Sequence, residues 1–178
     1  MQKVEKAIEQ DQIKFKNESE FYPMKTLVVG LGNPILGDDG VGWKVAEEVK
    51  KQLAVGAHVD VECLSLGGIS LMEHLIGYRN AILIDAFALD DSVGSILILK
   101  LDDLPNYSAY HTSSAHDTSL QNAIELGRSM GAPLPDQVTV VGIATTRAHD
   151  FSEELSQPVA EAVPLATKFV LELLGEKI

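Results

Sequence analysis

The chain has 178 residues, 46% hydrophobic and 22% charged, enough for one domain whose core needs no covalent staple. A net charge of −12 excludes nucleic acid and anionic membrane surfaces as partners, since both require a positive face. One cysteine, Cys63, excludes an internal disulfide, and the absence of an 18-residue apolar run or a signal-peptide pattern points to a soluble, cytoplasmic protein.

Residues 1–23 are polar and mixed in charge, with Val4, Ile8 and Ile13 at the spacing of a short amphipathic helix. They are expected to form an N-terminal extension, and residues 24–178 a single domain. From Thr26 the pattern alternates strand and helix. The first predicted strand covers Thr26 to Gly30 and leads into Gly30-Leu31-Gly32-Asn33-Pro34-Ile35-Leu36-Gly37-Asp38-Asp39-Gly40-Val41-Gly42. Five glycines and two adjacent carboxylates at one strand-to-helix turn predict a shaped, acidic pocket. The turn imitates the opening of a dinucleotide-binding loop, but Ile35 replaces the third glycine, Pro34 removes a donor, and the two acids stand where a phosphate needs positive potential. No Lys-Ser or Lys-Thr pair follows, so a P-loop fails as well. One aspartate, Asp38, is expected to cap the following helix, leaving Asp39 exposed for chemistry.

That helix is predicted over Val41 to Leu53. A second strand follows over His58 to Leu64, then a short helix over Ser70 to Ile76 and a third strand, Asn80 to Asp85, apolar enough to be central. Gly94 to Leu101 reads as a fourth strand so close behind the third that the two are expected to pair antiparallel. Residues 102–115 form a long polar loop holding His111. Asp117 or Thr118 is expected to cap a helix running to Met130. Gln137 to Ile143 is the fifth strand, and Gln157 to Leu174 a closing helix interrupted or bent at Pro164. The sum is a three-layer α/β sandwich with a twisted, mostly parallel five-stranded sheet, one antiparallel strand and helices on both faces.

In such sheets the ligand crevice lies beyond the carboxyl ends of the strands. Asp39, Asp85 and His116 converge there on this reading, offering two carboxylate oxygens and an imidazole nitrogen to a borderline divalent metal such as nickel or zinc. Asp85 is the most telling, because a carboxylate ending a buried Ile-Leu-Ile strand needs a cation or donors. His111 is the rival to His116, and His149 an outside candidate. His58 and His74 read as structural. Cys63 reads as a small buried hydrophobe, and with no Gly-x-Ser-x-Gly elbow a serine nucleophile is not expected.

The turn from Gly30 to Gly42, together with Gly67-Gly68, the strand ending at Asp85, His116, Val140-Val141-Gly142-Ile143 and Leu155-Ser156, resembles the hydrogenase maturation endopeptidases. The resemblance implies an α/β peptidase that removes the C-terminal extension of a nickel-iron hydrogenase large-subunit precursor after nickel insertion. It implies that Asp39, Asp85 and His116 are both catalytic and metal-engaging, with nickel borne by the substrate and other divalent metals able to occupy the site. The expected partner is that precursor, and the expected state a monomer. Two alternatives stand beside this one: a non-catalytic, nickel-dependent checkpoint that binds the precursor, and a flavodoxin-like nucleotide-binding module.

Overall fold

A computed structural model describes residues 25–89, 92–104, 119–146 and 151–176. In chain order the elements are β1 (Thr26–Leu31), a 3₁₀ turn (Gly37–Gly40), α1 (Val41–Gln52), β2 (Val59–Leu64), α2 (Gly68–His74), β3 (Asn80–Ala88), β4 (Ile96–Lys100), a second 3₁₀ turn (Leu101–Asp103), α3 (Leu120–Ser129), β5 (Gln137–Thr145) and α4 (Gln157–Leu173). The expectations for residues 1–23 and for His111, His116, Asp117, Thr118 and His149 fall outside the described residues.

The strands form one sheet in the order β2-β1-β3-β5-β4, parallel throughout except for β4. Alternation along the strands divides the core in two. Leu27, Val29, Leu83, Phe87, Val138 and Val140 face α2 and α3, where Leu71, Ala123 and Ile124 cover them. Val28, Ile82, Ile84, Val141 and Ile143 face α1 and α4, against Val41, Val45, Val49, Val159, Ala166 and Val170. Each such aliphatic side chain contributes about 1.5–3 kcal/mol on burial, so the inner strands β1, β3 and β5, apolar toward both faces, hold the sandwich together.

The order corrects one expectation. β4 pairs antiparallel with β5, not with β3, because β5 enters the sheet between them. Burial explains the choice: Val140, Val141 and Ile143 of β5 are essentially inaccessible, whereas Ile98 and Leu99 of β4 keep 42% and 36% exposure, which an edge position allows. The third and fifth strands also run further than expected. Ala86, Phe87 and Ala88 pair in register with Ile143, Ala144 and Thr145, so Asp85 lies within β3 and not at its end. α4 is not interrupted at Pro164. Pro164 and Ala160 are both exposed, and the Ala160 carbonyl that the proline leaves unpaired is therefore within reach of water. α3 is capped by Ser119, whose Oγ accepts the Asn122 N–H at 3.2 Å.

Candidate functional site

The carboxyl ends of the parallel strands carry the acidic turn, and close helix-to-sheet packing places it there. A Cβ on Gly42, in the first turn of α1, would lie 2.3 Å from the Leu31 carbonyl oxygen and 2.4 Å from that of Ile84. A Cβ on Gly30 would lie 2.3 Å from the Gly42 carbonyl oxygen. These two glycines let α1 settle directly on β1 and β3. Gly32 is needed twice over, with φ of 122° and the Asp39 carbonyl oxygen 1.7 Å from where its Cβ would be. The glycine density expected to shape a pocket therefore serves mainly to press the turn against the sheet.

The two aspartates divide their work, though not as the sequence suggested. Asp39 turns inward: its Oδ2 accepts the backbone N–H of Asn33 at 2.7 Å, which closes the loop on itself. Among the described residues no other hydrogen bond engages this half-buried carboxylate. Asp38 does not cap α1, whose N-cap is Gly40 with no side-chain cap bond. It reaches 118 residues along the chain to the start of α4, where Oδ1 accepts the Ser156 N–H at 2.7 Å and Oδ2 the Ser156 hydroxyl at 2.8 Å.

Asp85 is only 2% exposed, and its Oδ1 accepts the Ala86 N–H at 2.8 Å. It pairs across the sheet with Gly142, and by alternation it shares a face with Leu83 and Phe87. A Cβ on Gly142 would meet the Phe87 ring at 2.7 Å, so this glycine is the space in which the ring beside Asp85 lies. Leu120, the first residue of α3, packs in the same cluster as Leu83 and Phe87. The 3₁₀ turn bearing Asp39 touches β3. The structure thus brings the elements of Asp39 and Asp85 together at one end of the sheet, with the start of α3 on the Asp85 face.

The rival histidines His111 and His149 lie outside the described residues, and His58, His74 and Cys63 are the residues read as structural. His74 pairs with Glu62 at 3.1 Å on an exposed surface, and the His58 carbonyl accepts the Thr26 N–H at 3.1 Å at the opposite end of β1. Cys63 is half-buried against the α1 and α4 side of the core, and burial pushes its thiol up, away from the thiolate a nucleophile needs.

A family model described as HycI, hydrogenase maturation protease, matches residues 43–173. The chain belongs to the hydrogenase maturation protease family. Among its relatives, the hydrogenase expression/formation protein HoxM of Azotobacter vinelandii is 26% identical over 151 residues, 85% of this chain and 72% of HoxM. The solved structure of a hydrogenase 2 maturation peptidase from Thaumarchaeota archaeon is 28% identical, with a TM-score of 0.62 over 86% of this chain and 99% of that one. The hydrogenase maturating endopeptidase HybD from E. coli has the same fold, with a TM-score of 0.69 over 85% of this chain and 93% of that chain at 24% identity. As a maturation protease the chain is a hydrolase of the hydrogenase assembly apparatus. No helix among its described residues is long and apolar enough to cross a membrane.

The contact that sequence reasoning missed in this protease is the one between Asp38 and Ser156. Ser156 before Gln157-Pro158 carries a local signal, a hydroxyl residue just ahead of a proline in the first helical turn. Nothing local tells that its hydroxyl is given to a carboxylate on another loop.

Proposed function

We propose that this protein is the endopeptidase that removes the C-terminal extension of a nickel-iron hydrogenase large-subunit precursor once nickel has been inserted, acting in the cytoplasm. The observation that carries the reading is a carboxylate of 2% exposure, Asp85, at the end of the sheet where the Asp39 turn lies, in a chain of this protease family. The relatives named as endopeptidase and peptidase of hydrogenase maturation support peptide-bond cleavage over a binding-only role.

Nickel here is part of the substrate. Asp39, Asp85 and His116 are the groups assigned to meet it, two hard oxygens and one imidazole nitrogen, a set suited to a borderline divalent cation. The burial of Asp85 supports its place in that set, because a carboxylate removed from water is stabilised by a nearby cation and strong donors. A divalent cation held there supplies Lewis acidity at the scissile peptide bond. The chain's own contribution is to hold Asp39 through Asn33 and Asp85 through the strand, and so to fix where the loaded end of the precursor can dock.

The test is to incubate the protein with nickel-loaded and nickel-free precursor and to follow the precursor's C-terminus by intact mass spectrometry. Loss of the extension is expected only from the loaded form, and not with Asp39→Ala or the isosteric Asp85→Asn. Normal cleavage by Asp85→Asn would remove that residue from the site. Retained binding with an intact C-terminus would make the protein a checkpoint and refute the hydrolase assignment.

A further inference from the structure

We propose that Asp38 is the positioning residue of this site: by gripping Ser156, the N-cap of α4, it fixes the 3₁₀ turn on which Asp39 is presented. The proposal rests on the assignment of Asp39 above. Asp38 and Asp39 share a turn of four residues, Gly37 to Gly40, so a rotation of that turn displaces both carboxylates. Asp39 is held from within by Asn33, a partner on the same loop, which cannot stop the loop moving as a whole. The outside anchor is a separate segment. Gly37 N–H donates to the Ser152 carbonyl at 2.7 Å, Ser152 N–H to the Ile35 carbonyl at 3.1 Å, and Leu36 and Ser152 form an isolated parallel bridge. Asp38 completes this lacing with two bonds to Ser156.

The chemistry of the anchor favours positioning over proton transfer. Both Asp38 oxygens already accept donors from Ser156, at 2.7 and 2.8 Å, which stabilises the ionised carboxylate and makes it a weaker base. Ser156 stands at the N-cap of α4 yet makes no side-chain cap bond to its own helix. Its hydroxyl goes to Asp38, which sets a carboxylate beside a helix end whose dipole favours negative charge. The arrangement couples the long helix that covers one face of the sheet to the orientation of a single catalytic turn.

Asparagine separates the two roles. In Asp38→Asn the amide oxygen still accepts the Ser156 N–H, and the amide NH₂ donates to the Ser156 hydroxyl oxygen, so the geometry survives without the charge. Asp38→Ala removes both bonds. With the nickel-loaded precursor, Asp38→Ala is expected to lower kcat by about a hundredfold, the scale of an ångström-sized misplacement, with KM within about twofold of wild type. Asp38→Asn is expected to recover most of that loss.

The amide resonance of Asn33, donor to Asp39, gives a readout independent of activity: it should shift in Asp38→Ala and return in Asp38→Asn. Wild-type kcat in Asp38→Ala, with Asp39→Ala inactive, overturns the proposal and leaves the site assignment standing. Asp38→Asn as inactive as Asp38→Ala overturns it in favour of a charge or base role. Normal cleavage by Asp39→Ala overturns the site assignment itself and the proposal with it. Should Asp38→Ala prove unfolded at the assay temperature by urea denaturation, Ser156→Ala carries the test. It keeps the N–H bond and should lower kcat about threefold, the loss of one hydrogen bond, and wild-type kcat there overturns the proposal.

Discussion

Replacing Gly42 by alanine sets two effects of opposite sign against each other. Within a helix the change favours folding by about 1 kcal/mol through propensity. Against this, the new Cβ would sit 2.3 and 2.4 Å from two backbone carbonyl oxygens and 2.9 Å from the Leu31 nitrogen. Overpacking against side chains that can rotate away costs about 1–3 kcal/mol, and here the neighbours are the backbones of β1 and β3, so the cost lies at the top of that range or above. The net loss is about 2–3 kcal/mol, a fall in Tm of roughly 5–10 °C for a chain of this length. Thermal melting followed by far-UV circular dichroism measures it. Gly67→Ala is the control, since nothing lies within 4 Å of its Cβ and its φ of −142° suits alanine; it should stay within about 0.5 kcal/mol of wild type. A Tm for Gly42→Ala equal to or above wild type would show that the close approach of α1 to the sheet does not require glycine.

Gly142→Ala should cost about 1–3 kcal/mol by crowding the Phe87 ring, and Phe87→Leu in the same chain should recover part of it, as urea midpoints of the two singles and the double would reveal. Ser119→Ala should cost about 1 kcal/mol through loss of the α3 cap, read in the same way. The Tyr78 hydroxyl, pushed up to about 12 by burial and by its bond to Asp60 at 2.9 Å, keeps its proton in the fold after the unfolded chain begins to lose it. Stability from this group is complete below about pH 10 and falls as pH rises toward 12, so Tyr78→Phe should flatten the alkaline limb of a stability profile; an unchanged slope would refute the coupling. Asp60, held down chiefly by the same bond and also by Lys25, should in turn lose its contribution as pH falls below the ordinary carboxylate range.

Much of the architecture was legible in short-range pattern. Period-two and period-3.6 apolar spacing located every strand and helix of the described residues to within a few positions, because side-chain alternation and helical facing are local geometry. Boundaries failed where a partner decided them. Nothing in Asp85-Ala86-Phe87-Ala88 announces that the strand continues, since what extends it is a ladder to Ile143-Ala144-Thr145 far along the chain. The pairing of β4 failed for a related reason: sequence proximity to β3 favoured one neighbour, and the more apolar β5 took the buried slot.

The site divides in the same way. Residue types made the Asp38-Asp39 pair and Asp85 candidates, because carboxylates among glycines and inside an apolar strand contradict their surroundings and need a reason, and the family resemblance chose Asp39 from the pair. The contact of Asp38 with Ser156 was not legible, and the nearest helix, α1, is one that Asp38 does not cap. Local backbone sterics and hydrophobic periodicity act over a few residues and can be read from the chain alone. A hydrogen bond between Asp38 and Ser156, 118 residues apart, exists only because burying both faces of one sheet brings the end of β1 and the start of α4 to the same rim, and that placement belongs to the tertiary structure.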